Sequence, residues 1–311
     1  LPGHLLKEIE KKKIGEEEVY KLFHFSDVSL WWFMYPVVFS TFARTIFYII
    51  KFKEMIDDKR PDTIEIVGEF DKIQLIKQIC IQRKIGFRYS KFQYFKYLLQ
   101  QKIKSLLQPY RYSSITKRKI KNRLTVFKDH GKEIPSIDDK ILFLLATSYR
   151  RDVYDLETKK IRRGEYLVEP IINMIKKMNV NIVGADVDYT FKGEPEILKE
   201  RLIESTNWFP IEATVKNFSK VTSFDNFLNR YSKIINDHEF QSLFTYDGIK
   251  FWDQIESDFK MLAYFPYIPY YLHVISSFEQ FFINHKPSVV FIPYETGPYA
   301  LAMIIACQKN G

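Results

Sequence analysis

The 311-residue sequence predicts an α/β fold, parallel sheets flanked by helices, and three observations carry that prediction. A composition of 46% hydrophobic and 16% aromatic residues fills a large core, which excludes disordered, collagen-like and coiled-coil classes, and the length allows about two domains. Short continuous apolar runs alternate with amphipathic stretches, as parallel strands covered on both faces require. A strand, break and helix pattern also recurs within the chain.

Near the start, residues 29–50 (SLWWFMYPVVFSTFARTIFYII) form an apolar segment almost long enough to cross a bilayer. Pro36, Ser40, Thr41, Arg44 and Thr45 interrupt it, so a buried or membrane-resting helix is expected, with Trp31, Trp32 and Tyr35 available as interface anchors. The clearest strands are 63–67 (TIEIV), 141–146 (ILFLLA), 181–183 and 288–292 (SVVFI). Helical patterns follow at 71–84, 194–204 and 298–309, while another at 167–178 precedes the third strand. Residues 225–284 read as mostly helical, with breaks near Gly248, Pro266 and Pro269, which places a helical insertion before the last strand.

Laying residues 60–83 on 286–309 pairs Pro61 with Pro287, Ile66 with Ile292, Glu69 with Glu295, Leu75 with Leu301, Ile79 with Ile305 and Gln82 with Gln308. The recurring unit is a helix, a basic-Pro break, a buried strand, a glutamate at its carboxyl end and a helix. Two Rossmann-like halves follow as the expectation: a helical and partial Rossmann-like region over 1–110, a basic linker over 111–136, and a Rossmann-like domain over 137–311 with its helical insertion at about 225–284.

Charge is unevenly placed. The net charge is +9, yet residues 83–132 hold fifteen basic residues against the single acid Asp129, so the rest of the chain is net acidic. A block of this size concentrates phosphate-bearing partners. Within it, Ser90 can cap a helix running to about Ser105, with Phe92, Phe95, Leu98, Leu99, Ile103 and Leu106 at helical spacing and Lys91, Lys96, Lys102 and Lys104 beside them. That is the pattern of an interfacial membrane helix, or of a core-facing helix whose lysines are solvated. Residues 111–132, including Arg118 and Lys119, read as an anion-contacting stretch or a polar connector. Basic and aromatic residues also interleave in nucleic-acid binders, but no zinc-finger spacing, RNP-type strand or GXXG clamp is present, so nucleic acid is not the expected partner.

Ligands of open parallel sheets bind beyond the carboxyl ends of the strands, so polar residues there come first. Strand 141–146 runs into Thr147, Ser148, Tyr149, Arg150, Arg151 and Asp152, where two arginines can fork onto a phosphate and Asp152 can take a hydroxyl proton; a solvated loop is the alternative. Strand 181–183 runs into Gly184, Ala185, Asp186, Val187 and Asp188, acids placed to hold ribose or sugar hydroxyls, with no dinucleotide glycine fingerprint upstream. In Pro293-Tyr294-Glu295-Thr296-Gly297-Pro298, Thr296 or Gly297 caps the next helix and leaves Glu295 in the crevice, as a base or as an acceptor for loop N–H groups. The histidines show no HExxH or paired spacing, and neither a GxSxG elbow nor a P-loop occurs, so no metal site is expected. Cys80 and Cys307 build no disulfide framework, which fits a reducing compartment, most simply the cytoplasm. The chain opens at Leu1 without a leader pattern and reads as a piece of a longer polypeptide.

The segment KPSVVFIPYETGPYALAMIIACQKNG at 286–311, the strand plus TSYRRD at 141–152, and GADVD at 184–188 resemble glycosyltransferases of the GT-B type, specifically prokaryotic enzymes of surface-polysaccharide and capsule synthesis. The resemblance covers roughly the last 170 residues, and TSYRRD departs from the commoner glycine-rich first loop. It implies two facing Rossmann-like domains, this chain supplying the acceptor side, with the donor half expected beyond Gly311 and the fragment inactive alone. It also implies displacement at the anomeric carbon, with Asp152, Asp186 or Glu295 as the base. Ser148, Tyr149, Arg150, Arg151, Asp188, Thr296 and Gly297 would then contact acceptor or phosphate. No cofactor is implied; the nucleotide-sugar donor is a substrate, the acceptor a glycan or lipid-linked glycan, and the location the inner face of the cell membrane, peripherally bound. A non-catalytic Rossmann-like module for an anionic or nucleotide ligand is the alternative.

Overall fold

Helices and short parallel strands alternate through the middle of the chain, as the apolar runs predict. The computed structural model describes the chain except for residues 1, 26–27, 69, 132, 156–157, 167, 189–194, 206, 215–221, 294–296 and 311. In chain order come α1 (Pro2–Lys11), α2 (Trp31–Lys59), β1 (Thr63–Ile66), α3 (Ile73–Arg83), β2 (Gly86–Tyr89) and α4 (Lys91–Asp129). Then follow β3 (Ile141–Ala146), β4 (Arg150–Asp155), β5 (Lys160–Glu165), α5 (Glu169–Lys177), β6 (Ile182–Val187), α6 (Pro195–Glu204) and β7 (Trp208–Pro210). The principal elements of the remainder are α7 (Thr222–Ile235), α8 (His238–Ser242), α9 (Trp252–Leu262), α10 (Ile268–Asn284), β8 (Val289–Phe291) and α11 (Pro298–Asn310), and pairs of two-residue strands lie within residues 13–29 and 245–250. Two compact units result, one of Leu1–Tyr112 with Lys220–Pro269, the other of Ser113–Ser219 with Tyr270–Gly311.

The first unit is built on α2. Its buried positions Trp31, Met34, Val38, Phe42, Thr45, Ile49, Lys53 and Ile56 recur three and four residues apart, so one helical face enters the core. That face meets α1 and α9 and a cluster of rings, with Phe42 5.4 Å from Phe251 and Phe240 5.4 Å from Phe244. Buried Lys53 is compensated by Asp247, Nζ to Oδ2 2.5 Å. By length and composition α2 is apolar enough to cross a membrane, with 39% of its apolar window buried. Trp31 belongs to the core, contrary to its expected place as an interface anchor, because it packs on Phe23 and Phe259; Trp32 is exposed. The region 225–284 is helical as read, but most of it, through Pro269, belongs to this unit and not to a domain 137–311.

The expected first Rossmann-like half is a single βαβ unit among the described residues: β1 and β2 pair in parallel around α3, Thr63 opposite Gly86 through Ile66 opposite Tyr89. Its repeat glutamate, Glu69, lies outside the described residues. Ser90 caps α4 as read, its Oγ accepting from the Gln93 N–H at 3.4 Å. The helix does not stop near Ser105, however, and the 111–136 linker is helical to Asp129. The reason is a second inward face: Thr116, Ile120, Arg123 and Phe127, at helical spacing, are all buried, and only Pro109 interrupts the backbone donors.

The second unit holds a four-stranded parallel sheet in the order β7-β6-β3-β8. In order of occurrence the strands are thus arranged 3-2-1-4, the order that opens a crevice where the winding direction reverses, here between β3 and β8. Continuous apolar runs fit strands covered on both faces: Leu142, Phe143, Leu144 and Leu145 of β3 are all inaccessible. TSYRRD is not an open loop: Thr147–Tyr149 form a 3₁₀ turn, and Arg150 starts an antiparallel hairpin, β4 with β5, before α5 returns the chain to β6. The strand read at 181–183 extends over Ile182–Val187, because Gly184, Ala185 and Asp186 pair with both β3 and β7.

Gly184 sits under the Trp208 indole, where an added Cβ would fall among the ring atoms. Gly184→Ala is expected to displace Trp208 and destabilise the protein by about 1–3 kcal/mol, read as a lower midpoint in denaturant unfolding. Val153, exposed in part on the hairpin, serves as the reference: Val153→Ala is expected to shift the midpoint less.

Candidate functional site

The carboxyl edge of the sheet carries a chain of buried charges. β6 presents Asp186, inaccessible to solvent, one residue from its end. Arg123, from the inner face of α4, donates Nη2 to Asp186 Oδ1 at 2.5 Å and Nε to Glu212 Oε1 at 3.1 Å. Glu212 rides the 3₁₀ turn Ile211–Ala213 that follows β7. On the other side Arg201, from α6, donates Nη1 to Asp186 Oδ2, Nη2 to Glu165 Oε2 at 2.6 Å, and Nη2 to the Ala146 carbonyl at 3.1 Å. Its guanidinium lies 4.7 Å from the Trp208 ring centre, which makes the Gly184 packing part of the same assembly. Arg150 extends the chain to Glu165, Glu200 and Glu204. Thr147 Oγ1 closes it against β3, within 3.2 Å of Asp186 Oδ1 and 2.9 Å of the Val187 carbonyl.

Opposite charges alternate along this chain, and each sets its neighbour's ionisation. Burial alone would raise Asp186, but Arg123 and Arg201 outweigh it and hold the carboxyl below its usual 3.8. Glu212 goes the other way: burial dominates over the pull of Arg123 and lifts it above its usual 4.5. Burial also opposes the charge on Arg123, but Glu212, Asp186 and Asp188 outweigh it. Arg123 Nη1 is buried without a hydrogen-bond partner among the described residues. Nearby, Tyr270 and Tyr299 share a hydroxyl hydrogen bond of 2.9 Å, and burial pushes both phenols well up, with Glu212 adding to the effect.

The residues read from the sequence separate into groups. Asp186 and buried Asp188 lie at the end of β6, with both oxygens of Asp186 bonded to guanidinium groups. Arg150 is buried and its donors face carboxylates, so it is not placed to fork onto a phosphate together with Arg151, as the sequence reading expected. Arg151 is exposed, donates to the Ser148 carbonyl at 3.0 Å and covers the Tyr166 ring at 4.6 Å; Ser148 is exposed and Tyr149 half-buried. Asp152 is 70% exposed, 3.5 Å from Arg163. It lines an open cavity of about 990 Å³ between the hairpin and α5, shared with Tyr154, Arg162, Glu165, Tyr166 and Met174. Gly297 opens α11 at φ 108°, in the left-handed region that glycine tolerates, on the β8 side of the crevice. Glu295 and Thr296 lie outside the described residues. Lys91, Lys96, Lys102, Lys104 and Arg118 are exposed on α4, and Lys119 is half-buried.

Sequence reading missed Arg123, Arg201, Glu165 and Glu212. For Glu212 a signal existed, an acid just beyond the short apolar run Trp208-Phe209-Pro210, which is a strand. For Arg123 no local signal separates it from the fourteen other basic residues of its block. Comparison with known proteins returned no matching family model, no matching curated protein and no matching solved structure.

Asp186→Asn leaves two buried guanidiniums without their shared counter-charge and is expected to destabilise the protein by about 3–5 kcal/mol in urea or guanidinium unfolding. The stabilisation from Asp186 is present above pH 3.8 and is lost as pH falls through its depressed native pKa. Glu212 contributes the opposite slope. With its native pKa raised, wild-type stability falls relative to Glu212→Gln as pH rises from 4.5 through that native value, measurable as the difference between two stability–pH curves.

Proposed function

We propose that the chain is the acceptor-side portion of a glycosyltransferase of GT-B type, acting in surface-polysaccharide or glycolipid synthesis. The observation that carries this reading is a 3-2-1-4 parallel sheet whose first strand, β3, runs on into a hairpin with an open cavity between it and α5. Such a sheet offers ligands its carboxyl edge, and here that edge supplies exposed Ser148 and Arg151, the carboxylate of Asp152, and aromatic faces at Tyr154 and Tyr166. Hydroxyl, guanidinium, carboxylate and ring together suit a phosphorylated glycan: rings for the sugar faces, Arg151 for phosphate, carboxylates for hydroxyls.

In this reading the acceptor hydroxyl loses its proton to a carboxylate while it attacks the anomeric carbon and the nucleoside phosphate departs. Asp152 is the favoured base, because it is solvent-facing and only loosely paired, whereas Asp186 accepts from two guanidiniums and serves to position the strand ends. Glu295 remains the second candidate. Arg151 orients the acceptor phosphate, and Gly297 lets a ligand approach the backbone opening α11.

The non-catalytic module is separated from this reading by one pair of assays. Sugar 1-phosphates and UDP-, GDP- and CMP-sugars are titrated against the full chain by thermal unfolding; a true ligand at a hundred times its Kd is expected to stabilise by about 2.7 kcal/mol, and Arg151→Ala to weaken it. Transfer from radiolabelled nucleotide-sugars to lipid-linked acceptors, measured in the full-length enzyme that carries the donor half, is then expected to fall about a hundredfold or more in Asp152→Asn. Binding that persists with no transfer by the full-length protein assigns the module, and the absence of any ligand effect ends the glycosyltransferase reading.

A further inference from the structure

The first half of α4 carries an apolar stripe that faces outward. Phe92, Phe95, Leu99, Ile103, Leu106 and Tyr110 are 78%, 66%, 52%, 52%, 62% and 75% exposed. At about 100° per residue these six fall within an arc of roughly 80°. Lys91 and Lys102 border the arc on one side and Lys96 on the other, with Arg111 and Lys104 about 80° and 100° beyond that edge; all five are exposed. No carboxylate occurs in α4 before its last residue, Asp129. The contrast lies within one helix: beyond Ser113 the inner face is buried at Thr116, Ile120, Arg123 and Phe127, whereas before it Tyr94 and Tyr97 lie against Phe70 and the six stripe residues are left uncovered.

We propose that residues 91–112 of α4 dock in the plane of an anionic lipid surface, the stripe entering the acyl boundary and the flanking lysines reaching lipid phosphates. The segment is about 33 Å long, and lysine stems can lie along the apolar face while their ammonium groups rise to the headgroups. Charge selects this occupant over two others. A second copy of the helix would bring its own basic residues and no acid against Lys96, Lys102 and Lys104, which is repulsive. A nucleic acid would neutralise the lysines but leave aliphatic Leu99, Ile103 and Leu106 in water, since base stacking uses aromatic faces. An anionic bilayer satisfies both sets of side chains. This proposal does not depend on glycosyl transfer, because lipid docking requires neither sugar nor nucleotide.

The test is sedimentation of the full chain with vesicles of phosphatidylcholine alone and of phosphatidylcholine with phosphatidylglycerol, alongside ultracentrifugation without lipid. Wild type is expected to partition onto the anionic vesicles, with Lys96→Ala/Lys102→Ala weakened about thirtyfold and less bound at high salt. Leu99→Gln/Ile103→Gln removes apolar area without changing charge at exposed positions, and is expected to lose at least about tenfold while keeping its circular dichroism. Equal partitioning onto both vesicle types, or wild-type binding by the glutamine variant, overturns the proposal. So does a wild-type dimer that the glutamine variant disperses, which assigns the stripe to a second copy.

Discussion

The second unit depends on keeping charge neutral inside it. Asp186 has no access to water, and its two oxygens are shared between Arg123 and Arg201, which are themselves buried. Each of these ions alone would lose several kcal/mol of hydration, so none is tolerable without the next. The alternation Glu212, Arg123, Asp186, Arg201, Glu165, Arg150 ties α4, the turn after β7, β6, α6 and the hairpin to one another. It also specifies register: a slip of one residue along β6 would turn Asp186 to the other face of the sheet, away from both guanidiniums and from Thr147.

That constraint explains why charge at the carboxyl edge divides into two populations. Asp186, Glu165 and Arg150 are engaged within the protein, and their role is to hold strand ends and hairpin in place. Asp152, Arg151 and Arg163 are exposed on the same hairpin, Asp152 lining its cavity beside Arg163. In the proposed function it is the second set that a ligand would meet, held in place by the first. Electrostatic positioning of this kind separates the groups that shape a site from the groups that touch what binds there.

α4 shows the same sequence character put to two uses. Basic residues run along its whole length, yet Arg123 is buried as the centre of an ion-pair chain while Lys96 and Lys102 remain in water beside an open apolar stripe. Helical spacing alone revealed the stripe at Phe92, Phe95, Leu99 and Ile103, because periodicity is local. Whether that face would be covered by protein was not legible, since the answer lies in which elements pack nearby. Likewise Trp31 and Trp32, adjacent and alike in sequence, part company only because α2 turns one of them into the ring cluster with Phe23 and Phe259.

By itself the sequence determined the α/β class, the strand at Ile141–Ala146, the cap at Ser90, and the helices α3, α6 and α11 to within a few residues. These follow from side-chain spacing and capping chemistry, which act over one or two helical turns. Tertiary structure decided the rest. It drew the 222–269 helices into the unit that begins the chain, limited the first strand repeat to one βαβ unit, and converted TSYRRD from a loop into a turn and hairpin. It also chose Arg123 from fifteen basic residues and joined it to Asp186, 63 positions away. The physical reason is common to all of these: a buried charge or an apolar face is stabilised by whatever reaches it through space, and a partner distant along the chain leaves no local pattern.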